Sequence, residues 1–373
     1  MNFIVQLLRL LTGGLFIFSG IIKANDPTGF SIKLSEYFAV FGTSFLDPLS
    51  LSLSIFICVV EIVLGVVLLL GVARNLVLTA LMAMIVFFTF LTFYSAYFNV
   101  VNDCGCFGDF IKLTPWESFT KDLILLVFIV VLWMGKKHIT PILAPGMNRK
   151  AIGVSTVLAL FFSVYTSLYL PVWDFRPYKV GNNIKELMEI PEGAPEDEYK
   201  TTLTYKNTST GEEKTFDLEN MPEGDEWEWV STNNELVQKG YEPPIHDFAI
   251  SNAEGYEVTK EFLQQDNKFR LVVVQPKMEN TRTAAIDHLI ELANASTENR
   301  NLFFWSLTAS NSSDVKEFKE KYQIPYPIHF ADETTLKTII RSNPGLLLLE
   351  GNTIVAKWSS RNLPSMDDIK KYL

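Results

Sequence analysis

Hydrophobic positions along the chain fall into two regimes. In the first 170 residues they form long runs, and beyond that they alternate with polar residues or come in short blocks. Phe3 to Ile22 is apolar apart from Gln6 and Arg9 and is long enough to cross a bilayer as a helix. No small-residue cleavage pattern follows Gly20, so a retained helix is expected rather than a signal peptide. Residues 23–48 read as an amphipathic connection punctuated by Pro27, Gly29, Gly42 and Pro48. Leu49 to Gly71 is a second span interrupted only by Glu61. After a tight turn at Val72-Ala73-Arg74-Asn75, Leu76 to Val101 makes an uncharged third span. Residues 116–134 make a fourth, with Glu117, Lys121 and Asp122 in its first turns, and Ala151 to Leu170 a fifth.

The second regime is that of a soluble protein. Residues 171–240 are polar, with an acidic patch from Glu186 to Glu198. Two alternating runs, Lys200 to Lys206 and Glu212 to Leu218, flank a turn at Asn207 to Gly211 and predict a β-hairpin. This stretch reads as a β-rich linker element whose Trp227 and Trp229 pack on the next domain or form an exposed patch. From Tyr241 onward the pattern predicts strands at Asp247–Ser251, Phe269–Gln275 and Leu302–Thr308. Helices are expected over Thr281–Ala295, Ser313–Tyr322 and Thr334–Arg341. A hairpin pairs Gly345–Leu349 with Thr353–Trp358, and a last helix starts at Pro364 with Asn362 or Ser365 as its cap.

Charge sharpens the division. Residues 1–170 carry about 10 Lys/Arg and 8 Asp/Glu and the remainder about 22 and 34, so within the chain's net charge of −10 the first part is near neutral and the second is at about −12. An acidic soluble half excludes nucleic acid as a partner. If every span crosses, the turn at Arg74 and the segment Lys136-Lys137-His138 to Arg149-Lys150 share one side, which is cytoplasmic by the Lys/Arg bias. The loop Asn102 to Asp109 and everything after residue 171 then lie on the other side. In a Gram-negative bacterium that is the periplasm, where disulfides persist.

The loop Asn102-Asp103-Cys104-Gly105-Cys106-Phe107-Gly108-Asp109 holds two of the three cysteines. Thiols one residue apart, with glycines to bend the backbone, close a small strained ring that is easily reduced. That favours an exchanging redox pair; a static disulfide or idle thiols is the competing reading. Two thiols without a nearby histidine do not make a tetrahedral metal site, so no metal is expected. Cys58 reads as a small buried hydrophobe. Glu61, near mid-bilayer, needs a partner, and Arg9 is long enough to reach toward it. An ion pair, a proton site and a quinone site remain open there. Lys23, at the outer mouth, either snorkels or lowers the pKa of a nearby thiol.

Residues 1–135 resemble the DoxX/MauE group of four-helix membrane proteins. The features that carry the likeness are Arg9, the run Gly13 to Gly20 and Lys23; Glu61-Ile62-Val63-Leu64-Gly65 through Gly71; and the Cys104-Gly105-Cys106-Phe107-Gly108 loop. The resemblance implies a four-helix bundle, here with an added fifth helix. It associates MauE-type proteins with maturation of disulfide-rich periplasmic enzymes, and DoxX relatives with quinone-linked thiosulfate oxidation. Residues 241–373 resemble a thioredoxin fold of the peroxiredoxin-like or TlpA-like kind, with Asn343-Pro344-Gly345 at the position of its cis-proline. Where thioredoxins carry Cys-x-x-Cys this chain reads Gln275-Pro276-Lys277-Met278-Glu279-Asn280, and no cysteine follows Cys106. The chain is therefore expected to be a membrane helical bundle (1–135), a cytoplasmic loop and fifth helix (136–170), a β-rich linker (171–240) and a redox-dead α/β domain (241–373).

Two functions stand. In one, Cys104 and Cys106 exchange electrons in an inner-membrane component of periplasmic thiol redox or protein maturation. Glu61, Arg9 and Lys23 then form a polar site in the bundle, Asn343-Pro344-Gly345 holds an extended client peptide, and a quinone is an open possibility. In the other, the chain is a non-catalytic membrane-anchored assembly subunit that docks a periplasmic partner. Quinone-linked thiol oxidases relay electrons through two cysteine pairs, and one is present here. Enzymatic activity is thus left open, with a separate thiol-redox protein needed to complete the relay.

Overall fold

The structure is a computed structural model that describes residues 2–101, 105–222, 224, 226–264 and 268–373. Its contacts divide into two compact units, Met1–Asn182 with Phe248–Leu373, and Asn183–Asp247.

In the first unit the N-terminal region is helical: α1 (Asn2–Asn25), α2 (Pro27–Val40), α3 (Ser50–Leu70), α4 (Arg74–Phe98), α5 (Pro115–Met134) and α6 (Pro145–Leu168). The amphipathic connection expected over 23–48 is α2 plus a 3-10 turn at Ser44–Leu49. Four helical stretches among the described residues are long and apolar enough to cross a membrane: Asn2–Asn25, Ser44–Leu70, Arg74–Phe98 and Pro145–Leu168. Helix α5, expected as a span, is not among them, because its first two turns are charged. Glu117 there closes a capping box with Thr114, which satisfies orphan N–H groups at the helix start.

Small residues set the helix spacing. A Cβ at Gly65 of α3 would lie 2.7 Å from the Gly13 carbonyl of α1, and one at Gly20 would lie 3.1 Å from the Cys58 carbonyl. Backbones therefore meet directly along the α1–α3 seam. Phe16, Leu68, Leu78, Leu81, Leu125 and Ile129 fill the interior. Phe56, Leu76, Phe87, Val127, Val157 and Phe161 face outward, an apolar girdle fit for lipid.

The soluble part of this unit is a five-stranded mixed sheet. Its strands are β4 (Phe269–Gln275), β5 (Leu302–Thr308), β6 (His329–Phe330), β7 (Gly345–Glu350) and β8 (Thr353–Ser359), in the order β6-β5-β4-β7-β8. β4, β5 and β6 run parallel; β7 pairs antiparallel with β4 and with β8. α8 (Thr259–Phe262) precedes the sheet, α9 (Ile286–Thr297) joins β4 to β5, and α10 (Ser312–Tyr322) leads to β6. α11 (Glu333–Ile339) leads to β7, and α12 (Met366–Ile369) closes the chain. This is the thioredoxin-like topology expected from the order of elements. Central β4 is buried along both faces, as its unbroken Leu-Val-Val-Val run requires.

Several expectations shift. Asp247–Ser251 forms no strand; Ser251 makes only isolated bridges to Glu257 and Phe330. The final helix is one turn, opened by a capping box at Ser365. Residues 171–182 are not linker. The Gly181 N–H donates to the Ile354 carbonyl at 2.8 Å, the Ile354 N–H donates to Asn182, and Tyr178 is buried against Phe248. The segment is mostly exposed or half-buried and is held at a few points, through buried Arg176 and Tyr178 and the hydrogen bonds of Gly181 and Asn182, so it shows no apolar stripe.

The second unit holds α7 (Ile184–Met188) and an antiparallel sheet of β1 (Glu198–Asn207), β2 (Glu213–Asp217) and β3 (Trp227–Gln238), ordered β2-β1-β3. The expected hairpin is β1–β2, and β3 is an additional strand. Trp227 packs edge-on against Phe216 within the sheet, ring centroids 5.3 Å apart, while Trp229 is 57% exposed.

Candidate functional site

Helix α1 places Ser19 and Lys23 on one face, one turn apart, and the tight α1–α3 seam brings Glu61 opposite them. Lys23 Nζ donates to Glu61 Oε1 at 2.6 Å and to Ser19 Oγ at 3.0 Å. Ser19 Oγ lies 3.2 Å from Glu61 Oε2 and 3.0 Å from the Cys106 carbonyl, with one proton to donate between them. Lys23 is 3% and Glu61 2% exposed, and the Phe30 and Phe88 rings flank the ammonium at 5.3 and 5.5 Å. Lys23 is thus the partner Glu61 requires. It does not snorkel.

Arg9, expected to reach toward Glu61, does something else. Its Nε donates to the Leu68 carbonyl at 2.9 Å, Nη2 to Leu69 at 2.5 Å and Nη1 to Gln6. The last carbonyls of a helix lack intrahelical partners and carry its negative dipole end, so a cation at the α3 C-terminus answers both needs. Lys23 and Glu61 form the bundle pair, and Arg9 caps a helix at the other end. That other end also gathers the basic turns: Arg74 donates to the Lys136 carbonyl and Gln6 to that of His138.

A second ion pair joins buried Asp122 to the partly exposed Lys121. Asp122 of α5 accepts from Thr92 Oγ1 at 3.1 Å and pairs with Lys121 at 2.5 Å. Both ion pairs, with Ser19, Cys106 and Phe107, line one cavity of about 40 Å³. That is room for a few water molecules, since one water needs ~10–15 Å³.

Cys106 is 7% exposed and sits in the wall of this chamber. Gly105 and Gly108 take positive φ (68° and 49°), and the Gly108 N–H donates to the Gly105 carbonyl, so the glycines make the turn expected of them. Cys104, with Asn102 and Asp103, lies outside the described residues, and so does the pairing of its sulfur. Cys58 is fully buried among Ala24, Phe30 and Ile62, a hydrophobe in role.

Above the chamber the thioredoxin-like domain is fastened to the mouth by charges. Asp26 caps α2 by accepting from the Gly29 N–H at 2.8 Å, and its other oxygen accepts from Arg341 Nε at 2.8 Å. Arg341 Nη2 also lies 3.5 Å from Asp109 of the cysteine loop. Burial opposes the Asp26 charge, but Arg341 and Arg176 hold its carboxyl below the usual range. Beside it, Asp174 accepts from Arg176 Nε and Nη2 (2.7 and 2.9 Å) and from Lys357 at 2.8 Å. Burial raises the Asp174 carboxyl, and the two cations outweigh it, holding its pKa at about 2.

Because that folded value lies below the unfolded one of about 3.9, the ionised Asp174 carboxylate contributes about 2 kcal/mol of stability, whereas burial pushes its partner Lys357 down to about 7 and works in the opposite direction. The contribution is present above about pH 4 and lost as pH falls through about 2. Acid titration of the full chain in detergent, followed by melting temperature, is expected to show this loss. Asp174→Asn should flatten it; an unchanged acid slope in that variant would count against the assignment.

The Asn343–Pro344 peptide is cis, as its position implied. The Asn343 carbonyl accepts from the Arg282 N–H at 3.1 Å and its side-chain amide donates to the Lys277 carbonyl at 2.6 Å. The loop expected to hold a peptide is thus engaged by Lys277 and Arg282 of its own domain. Beside it a cleft of about 920 Å³ runs from Thr28 and Ser31 of α2 and Ser50 of α3 to Lys277, Asn343 and Arg361.

Residues 1–135 match the family model of the methylamine utilisation protein MauE, and residues 199–239 match that of a domain of unknown function, DUF8463. Over 137 residues, 35% of this chain, the sequence is 26% identical to Protein TlpB of Flavobacterium psychrophilum; the match spans 37% of that relative's length. Among solved structures, a thiol-disulfide oxidoreductase from Bacteroides fragilis is similar at 14% identity and a TM-score of 0.29, covering 34% of this chain and 97% of that one. The thioredoxin domain of a thiol-disulfide oxidoreductase from Bacteroides vulgatus is similar at 16% identity and a TM-score of 0.28, covering 34% and 91%.

Proposed function

We propose that this chain, a MauE-type membrane domain carrying a thioredoxin-like domain, is a component of thiol–disulfide redox in protein maturation at the outer face of a bacterial inner membrane. Cys104 and Cys106 are the exchanging pair. The observation that carries the reading is Cys106 in the wall of a small, largely apolar cavity that also holds the paired Lys23 and Glu61, since a cation near a sulfur favours its thiolate. The N-terminus and the basic turns face the cytoplasm and the soluble domain is periplasmic, which requires α5 to cross with α1, α3, α4 and α6, its charged first turns at the outer end.

In the reaction, a client thiolate attacks one sulfur of the oxidised pair. The S–S bond breaks and a mixed disulfide forms. A second client thiolate then displaces it, so the client leaves with a disulfide while the pair keeps two electrons and two protons. A disulfide on a separate thiol-redox protein reoxidises the pair by the same exchange. The thioredoxin-like domain, which has no cysteine, holds the client along the cleft beside it.

Thiol trapping in intact cells tests this. Cys106→Ala is expected to accumulate a mixed disulfide through Cys104. Unchanged function in Cys104→Ala/Cys106→Ala would overturn the reading in favour of a non-catalytic assembly subunit, which the self-engaged Asn343 loop would suit.

A further inference from the structure

We infer that Arg341 is a positioning residue for the cysteine loop, through which the docked thioredoxin-like domain fixes the loop around Cys106. Nothing in the local sequence marks it, since it follows a short helix of the soluble domain and its partners lie far away in the chain. Its side chain is nearly buried, and all three of its nitrogens are directed. Nε goes to Asp26, Nη2 to Asp109, and Nη1 to the Lys337 carbonyl of its own domain at 2.5 Å. One planar fork therefore ties together the soluble domain, the cap of α2 and the cysteine loop, which the single ammonium of a lysine cannot do.

Two further contacts converge on the same loop. Asp26 fixes the start of α2, and α2 presents Phe30 and Lys33 to Gly105, where a Cβ would meet Lys33 at 3.1 Å. On the other side Phe110 packs edge-on against Phe175, ring centroids 4.9 Å apart. Phe175 lies between Asp174 and Arg176, which bind Lys357 and the Thr338 carbonyl of the soluble domain. The loop is thus clamped from a domain that has no redox chemistry of its own. A buried thiol reacts only when its surroundings open, so the clamp sets how often Cys106 is offered. By linkage, whatever rearranges the loop also weakens the docking.

The inference rests on the proposed function only in taking Cys106 as a reacting sulfur. Its test needs no exchange partner, so the two can fail separately. In the full chain in detergent, Cys58→Ala/Cys104→Ser leaves Cys106 as the single thiol, and its alkylation by N-ethylmaleimide is timed. Asp109→Asn is expected to raise the rate about tenfold while the melting temperature stays near that of the parent, because it releases the loop arm alone. Arg341→Ala should raise the rate at least as much and lower the melting temperature. Arg341→Lys should recover the melting temperature in part, and the rate less. Parent-like alkylation rates in both Asp109→Asn and Arg341→Ala would overturn the assignment, as would an equal rise on substituting Lys337, whose side chain points to Glu333.

Discussion

Lys23→Met is expected to destabilise the full chain by about 3–5 kcal/mol, and Lys23→Met/Glu61→Gln to recover most of that loss. The asymmetry follows from burial. Two charges taken out of water are tolerable while each satisfies the other, and Lys23 and Glu61 sit 2.6 Å apart with almost no exposure. Removing one leaves the other with only Ser19. Replacing both removes the desolvation penalty along with the attraction, which is often close to neutral. Denaturation of the four proteins in the cycle measures the coupling. A double variant no more stable than Lys23→Met would mean that the pair does not hold the bundle. If the double variant folds well yet abolishes the thiol exchange proposed above, the pair is kept for chemistry rather than stability.

The second large effect belongs to glycine. Gly65→Val is expected to prevent stable packing of the bundle, whereas Gly14→Ala should be neutral or stabilise by up to about 1 kcal/mol. At Gly65 the new carbon would meet backbone, the Gly13 carbonyl at 2.7 Å and the Ile17 nitrogen at 3.1 Å, and backbone in a helix seam has nowhere to go. At Gly14 nothing lies within 4 Å, so alanine only improves helix propensity. Yield and melting temperature of the detergent-solubilised variants compare the two. Similar losses at both positions would show that the α1–α3 seam is not where the structure places it.

Much of this molecule was legible before its structure. Long apolar runs can only be helices in a bilayer, so α1, α3, α4 and α6 follow from the sequence. Alternation and turn residues predicted β1–β2 and β7–β8, and the Asn343–Pro344 position was recognised. Misreadings came where local pattern and tertiary need diverge. The stretch 171–182 reads as linker because it is mostly exposed or half-buried and anchored only at Arg176, Tyr178 and the hydrogen bonds of Gly181 and Asn182, and β3 lies in a segment that is exposed almost throughout. Sequence alone points Arg9 toward Glu61, but the unsatisfied carbonyls at the end of α3 compete for the same cation and win.

By itself the sequence determined the division into a membrane half and an acidic soluble half, the helices and hairpins, and the absence of a second cysteine pair. These depend on periodicity and composition, which each segment carries on its own. Only the tertiary structure decided which charges meet: Lys23 with Glu61, Lys121 and Asp122 on the same chamber, and Arg341 with Asp26 across 315 residues. Periodicity records that a face is covered and not by what. A buried charge declares that it needs a partner, and the identity of that partner is settled only where the backbones come together.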